Sequence, residues 1–256
     1  MNTLDLNCDL GESFGNYTMG LDAQVIPLVS SVNIACGSHA GDPCVMKRTV
    51  ELAKSANVAI GAHPGFPDLQ GFGRRDLNLT PDEVYSFVLY QIAALQGFCK
   101  AAGVRLHHVK PHGQLYNRAA KDANYARAIA AAVRDLDESL VLVGLANGEL
   151  IYAGQEAGLT VAQEFFADRN YTDEGRLVPR SEKNATITDE EFAVARVVRA
   201  VQTGKIEALS GKEISVCANT VCIHGDNTHA LEFANKIKTA LNEAGIKVCP
   251  VGGLVL

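Results

Sequence analysis

The chain predicts an α/β fold, seven parallel strands closed into a single β/α barrel, and three observations carry that expectation. Seven short apolar runs alternate with amphipathic helix patterns along the 256 residues, the signature of repeated βα units. Nearly every run ends in a loop crowded with His, Asp, Glu, Asn or Lys, and such loops are where parallel α/β folds keep their chemistry. Within the runs, one parity is apolar and the other polar or mixed. An apolar face suits a covering helix and a mixed face suits a barrel interior.

The first strand is expected over 3–9, running into Asn7-Cys8-Asp9-Leu10-Gly11-Glu12. Leu4, Leu6 and Cys8 share one parity, while Asp5, Asn7 and Asp9 share the inward one. The second, 31–37, leads through His39 to Asp42-Pro43, a helix start. The third, 58–63, closes on His63-Pro64-Gly65, with His63 opposite in parity to Val58, Ile60 and Ala62. Thr80-Pro81-Asp82-Glu83 reads as a capping box opening a helix to about Lys100. The fourth strand, 105–110, sets His108, Lys110 and His112 on one face, and the fifth, 140–145, ends plainly at Asn147. The sixth, 160–166, groups Glu164, Phe166 and Asp168 before Arg169, and the seventh, 219–224, groups Cys222, His224 and Asp226. Between these two lie hairpin excursions near 170–187, which carries Arg180, and near 204–217. A helix over 189–203 separates them, opened by a second capping box, Thr188-Asp189-Glu190-Glu191. No linker or repeat divides the chain, so 1–256 reads as one domain.

Composition narrows the function. A net charge of −6, no Lys/Arg run and no tryptophan argue against nucleic acid. No apolar run approaches the roughly 20 residues of a membrane span, and residues 1–7 lack the parts of a signal peptide. Seven cysteines without CxxC spacing suit reduced thiols, so a cytoplasmic setting is expected. The absence of GxxxxGK[ST], of a strand-linked GxGxxG and of GxSxG removes the standard P-loop, dinucleotide and serine-hydrolase readings.

The candidate catalytic residues are Asp9, Glu12, His39, His63, Lys110, His112, Glu164, His224 and Asp226. Burying that many unpaired ionisable groups is costly, so a wet, functional pocket is the cheaper explanation. Asp9, His39 and His63 offer one carboxylate and two imidazoles to a divalent metal, zinc or manganese by donor type, with magnesium also open. A hydrogen-bonded cluster without metal is the alternative. Lys110 suits an oxyanion or phosphate and His112 a proton shuttle, while a Lys110–Glu164 pair across the barrel is the structural alternative. Arg74 and Arg75, between glycines and followed by Arg169 and Arg180 further on, offer guanidinium forks to carboxylate or phosphate. A solvated surface pair is the plainer reading of the first two, and Asn7 is a further candidate substrate contact.

The ordered motifs at 5–12, 33–43, 61–65, 71–75, 109–113, 164–169 and 224–226 closely resemble the LamB/YcsF family, with Ser38 standing where many members have an aromatic. The resemblance implies a seven-stranded, TIM-like barrel of the glycoside hydrolase/deacetylase type. It also implies an ATP-dependent 5-oxoprolinase: 5-oxo-L-proline, a small lactam, is opened to L-glutamate as ATP is hydrolysed to ADP and phosphate, in a complex with separate 5-oxoprolinase B and C subunits. An unstrained five-membered lactam is a poor electrophile, and phosphorylating its carbonyl oxygen makes it a better one. Lys110 and the arginines would hold phosphate or carboxylate charge while His112, His63 or a carboxylate activates water. Two other readings compete: a stand-alone metal-dependent amidase or deacetylase, and a non-catalytic lactam-binding regulatory subunit.

Overall fold

A computed structural model describes residues 3–179, 182–224 and 228–253. Its strands are β1 (Thr3–Leu10), β2 (Ser31–Ala35), β3 (Ala59–His63), β4 (Leu106–Val109), β5 (Val141–Leu145), β6 (Val161–Phe166), β7 (Lys205–Glu207), β8 (Glu213–Ser215), β9 (Thr220–His224) and β10 (Lys247–Val248). Strands β1 to β6 pair in sequence order, all parallel. Strand β9 pairs with both β6 and β1 and closes a seven-stranded barrel. The short β10 adds to the start of β1, and β7 with β8 forms an antiparallel hairpin outside the barrel.

Around it run α1 (Asp22–Val25), α2 (Pro43–Ser55), α3 (Pro81–Ala102), α4 (Gly113–Ala119), α5 (Ala123–Leu136), α6 (Glu149–Glu156), α7 (Glu190–Thr203) and α8 (Thr228–Glu243). Local sequence sets their starts. The Asp42 carboxylate accepts the Cys44 and Val45 N–H groups at the head of α2. Thr80 and Glu83 form the reciprocal capping box of α3, and Gly103 ends that helix in the left-handed conformation. Helix α7 starts one residue later than its Thr188 box suggests: the Asp189 carboxylate accepts the Phe192 N–H instead. A charged cap is favoured by the helix dipole over a neutral hydroxyl one position earlier.

The parity rule positions the site. Leu4, Leu6 and Cys8 of β1 and Val32 and Ile34 of β2 are buried in the main apolar core with Val50 of α2 and Ile92 and Leu95 of α3. The interior is layered. At the bottom, Asp5 accepts hydrogen bonds from Ser30, Ser31 and Thr220, while Val141, Val143 and Ala162 pack with Val251 of the C-terminal tail. Strand β4 carries a register slip, so that Ile60 pairs with Leu106 and Gly61 with His108. Bulges of this kind re-aim side chains near functional sites. An added Cβ at Gly61 would collide with His108 Nε2, so only glycine leaves room for that inward ring.

Candidate active site

Lys110, just past the end of β4, occupies the centre of the upper interior and is 2% exposed. Its ammonium donates to Asn7 Oδ1 and Asp9 Oδ1, both at 3.0 Å, and pairs with Glu164 Oε1 at 2.7 Å. Cys222 Sγ is 3.2 Å away. Burial opposes the lysine's charge, but the carboxylates of Asp9 and Glu164 outweigh it and hold its pKa well above the ordinary value. Asn7 and Asn33 brace the arrangement. Asn7 Nδ2 donates to Glu164 and to Thr220, and Asn33 Nδ2 donates to Asn7 and to Asp9. His108 Nε2 lies 2.8 Å from Asn33 Oδ1. Tyr116, on the first turns of α4, sits against Glu164; burial and that carboxylate push its phenol well up.

Beside this ionic centre, three imidazoles and a carboxylate converge. Donor atoms of Glu12, His39, His63 and His112 all lie within 4.8 Å of one another, a grouping compatible with a divalent metal. His39 and His112 stack at 3.7 Å with nearly parallel planes. Burial, then the neighbouring rings, lowers both: His39 falls well below the ordinary histidine value and His112 drops to about 2. Burial and the nearby Asp9 raise Glu12. Gly73 makes the stack possible, because a Cβ there would come within 2.8 Å of His39 Cβ and 2.9 Å of His112 Cδ2, and its φ of +63° suits glycine. Of the metal set expected from sequence, Asp9 with His39 and His63, the structure places both histidines in this cluster and Asp9 beside it. Lys110 and Asn33 claim Asp9 Oδ1, so Glu12 and His112 join the histidine cluster while Asp9 stands at its edge, 3.4 Å from His63 Nε2.

A cavity of about 760 Å³ opens above this floor, within the range of small-molecule sites. Asp9, Glu12, His63, Lys110 and His112 line its base, and Met19, Arg74, Lys121 and Arg176 stand among its walls. Eight candidates thus gather in one place: Asn7, Asp9, Glu12, His39, His63, Lys110, His112 and Glu164. Asn7 is buried and braced, so it supports the site rather than facing the cavity. Arg74 reaches the cavity over the Phe72 ring, but Arg75 does not: its exposed guanidinium forks onto Asp68 in the same loop. Arg169 lines the cavity while donating to the Val178 and Ala185 carbonyls, which ties the 169–186 excursion to the barrel. His224 sits opposite Asp9 in the β1–β9 register; its side chain, Asp226 and Arg180 lie outside the described residues.

Four participants escaped sequence reading as site residues. Asn33 and His108 share the inward parity of Asn7 and Lys110, which was the available signal. Cys222 reads as a small hydrophobe yet meets Lys110, and Tyr116 follows His112 by four residues, one helical turn.

A closed parallel barrel with ionisable side chains gathered beyond the C-terminal ends of its strands is the architecture of β/α-barrel enzymes. The chain belongs to the LamB/YcsF family, whose sequence model matches residues 4–255. It is 57% identical over 248 residues to a protein of Tolumonas auensis named as the A subunit of 5-oxoprolinase, covering 97% of this chain and 99% of that one. A Bacillus subtilis protein of the same name is 53% identical, covering 97% and 96%. Among solved structures, the lactam utilization protein of Thermus thermophilus superposes with a TM-score of 0.92 at 50% identity, covering 96% of this chain and 99% of that one. Among the described residues, no helix is long and apolar enough to cross a membrane.

Proposed function

We propose that the chain is a subunit of an ATP-dependent 5-oxoprolinase that opens 5-oxo-L-proline to L-glutamate, working with B and C subunits. The observation that carries the reading is the buried ionic centre, Lys110 between Asp9 and Glu164, at the floor of a cavity of about 760 Å³ that leaves room for a small lactam and a second ligand group. Full-length relatives that bear the 5-oxoprolinase name support it. Lys110 is engaged from every side, so its task is to fix the two carboxylates rather than to meet phosphate. Asp9, partly exposed at the cavity floor, accepts the proton of the attacking water. Arg74, Lys121 and Arg176 are the cations that face carboxylate or phosphate groups from the walls. ATP would transfer its terminal phosphoryl group to the lactam carbonyl oxygen and leave as ADP, which makes the carbonyl carbon the better electrophile. Water then adds to that carbon, and the ring C–N bond and the phosphate ester both break to give glutamate and phosphate. An ATP-consuming reaction and seven cysteines free of disulfides suit the cytoplasm.

The test is an oxoproline-dependent ADP-release and glutamate-release assay on the complex reconstituted with its partner subunits. Asp9→Asn is expected to lower turnover by about 100-fold or more, the usual reach of a general base. Undiminished turnover in Asp9→Asn and in Lys110→Met refutes the catalytic reading and favours a regulatory subunit. Lactam opening by the chain alone, lost to a chelator and indifferent to ATP, favours a stand-alone metal-dependent amidase, a reading the histidine cluster recommends.

A further inference from the structure

We propose that Glu12, His39, His63 and His112 form a four-ligand site for one divalent transition metal, with three imidazole nitrogens and one carboxylate oxygen as donors and Asp9 outside the ligand set. The inference deepens the active-site reading but is tested on metal binding, so it stands or falls separately from lactam chemistry.

Proton accounting supplies the first reason. His63 Nδ1 lies 2.7 Å from the Lys110 carbonyl oxygen. A carbonyl only accepts, so Nδ1 carries the proton and Nε2 bears a lone pair. His112 Nε2 lies 2.8 Å from the Phe72 carbonyl oxygen, so its proton sits there and Nδ1 bears a lone pair. These two lone-pair nitrogens face each other at 3.0 Å. Neither neutral ring has a hydrogen left to donate, and the contact is repulsive unless a cation lies between them. An extra proton would answer it, but it would make an imidazolium inside a nest where His39 stacks on His112 at 3.7 Å and abuts His63 edge-on at 5.5 Å. A metal shares its charge over all the donors at once.

His39 gives an independent reason. It is 0% exposed, and neither ring nitrogen has a hydrogen-bond partner among the described residues. A fully buried imidazole with no partner on either side is costly, and coordination through Nε2, which lies 3.5 Å from Glu12 Oε1, would supply a partner for one of its two nitrogens. Bonds of about 2.0–2.1 Å in a tetrahedron place donors about 3.3 Å apart, and the site shows 3.0 Å for His63–His112, 3.5 Å for His39–Glu12 and 3.8 Å for His112–Glu12, with all donors within 4.8 Å. His39 and His112 stack in parallel planes, so one of the two rings turns about its Cβ–Cγ bond to bring its in-plane lone pair onto the ion. The Lys110 and Phe72 carbonyls hold the outer nitrogens of two rings, as orienting partners of ligand histidines do. Three buried nitrogens and one oxygen favour zinc over magnesium, which prefers an all-oxygen, water-rich shell.

The experiment uses the full chain, stripped with a chelator and dialysed. Titration calorimetry with zinc chloride is expected to show one equivalent, and cobalt(II) to develop the visible absorption of a low-coordinate nitrogen/oxygen site. His63→Ala, His112→Ala and Glu12→Gln should each weaken zinc by more than the roughly 10–100-fold typical of losing an outer-shell partner. Asp9→Asn should stay within about 10-fold of wild type. Because a histidine variant can misfold, near-ultraviolet dichroism accompanies each one, and Glu12→Gln, at the partly exposed ligand, provides a milder second test. No stoichiometric binding to the wild-type chain overturns the proposal, as does binding unchanged in folded Glu12→Gln and His112→Ala, or binding lost in Asp9→Asn alone.

Discussion

Replacing Lys110 by methionine keeps the stem and removes the charge from the middle of the barrel. The ammonium lies 2.7 Å from Glu164 Oε1 and 3.0 Å from Asp9 Oδ1. At an effective dielectric near 20, each attraction is roughly 6 kcal/mol, but much of that offsets the cost of bringing three ions out of water. What the variant leaves behind decides the outcome. Glu164 is 0% exposed, and its Oε2 has no hydrogen-bond partner among the described residues, so its charge would stand deep in the interior with Asn7 donating to Oε1 and the Tyr116 phenol alongside. Breaking a buried pair from one side typically costs about 3–5 kcal/mol. For a chain of this length that lowers the unfolding midpoint by roughly 10 °C, at about 2–4 °C per kcal/mol. Calorimetry or dichroism melts of the ligand-free chain measure it. Lys110→Met with Glu164→Gln should recover part of the loss, because the double variant no longer buries an uncompensated carboxylate, and the cycle gives a non-additive coupling. A single variant melting within about 2 °C of wild type, or a strictly additive pair, would refute the view that Lys110 neutralises the centre.

Other consequences are checked as directly. Gly61→Ala should cost about 1–3 kcal/mol or more, read as a lower urea midpoint, since the new methyl collides with the His108 ring that braces Asn33. Thr80→Ala should cost about 1 kcal/mol through the lost α3 cap while leaving turnover of the complex unchanged. Arg74→Ala should raise the KM for oxoproline or ATP, whereas Arg75→Ala, whose side chain serves Asp68, should leave both constants near wild type. With a disulfide reagent under native conditions, Cys44 and Cys217 should react first and Cys249 more slowly. Cys8, Cys36, Cys99 and Cys222 should wait for denaturant, since they are buried and burial raises the Cys36 and Cys99 thiols to about 12.

The strand code made most of the barrel readable. Period-two alternation put Asp5, Asn7 and Asp9 on the side opposite Leu4, Leu6 and Cys8, and the folded chain keeps that division because helices cover one face and the barrel closes over the other. Prediction faltered where geometry leaves the strand. Glu12 lies past the end of β1, where parity no longer says which way a side chain points, so its place beside His39 and His63 was not legible. Arg74 and Arg75 are neighbours of identical chemistry, and only the backbone turn around Phe72 and Gly73, both at positive φ, decides which one faces the cavity. Thr188 and Asp189 present overlapping cap registers that sequence spacing cannot rank.

The same contrast between strand-borne and loop-borne groups bears on how the site works. Asp9, Glu164 and Lys110 stand on or just beyond strands and are held by Asn7 and Asn33, with Thr220 bracing Asn7 in turn, and each of these three makes more than one bond within the interior. A side chain gripped this way cannot change rotamer without stranding a buried partner, so the ionic centre is preorganised before any substrate arrives. Arg74, Lys121 and Arg176 come from loops or helix ends and are exposed, free to adjust to the charged parts of whatever enters. Under the proposed hydrolysis, rigid carboxylates below and adjustable cations above would divide the labour: the floor would fix where a proton leaves water, and the walls would determine which anionic group is held over it. Substitutions on the floor should therefore act on kcat and on stability together, while those on the walls should act on KM and leave the melting midpoint alone.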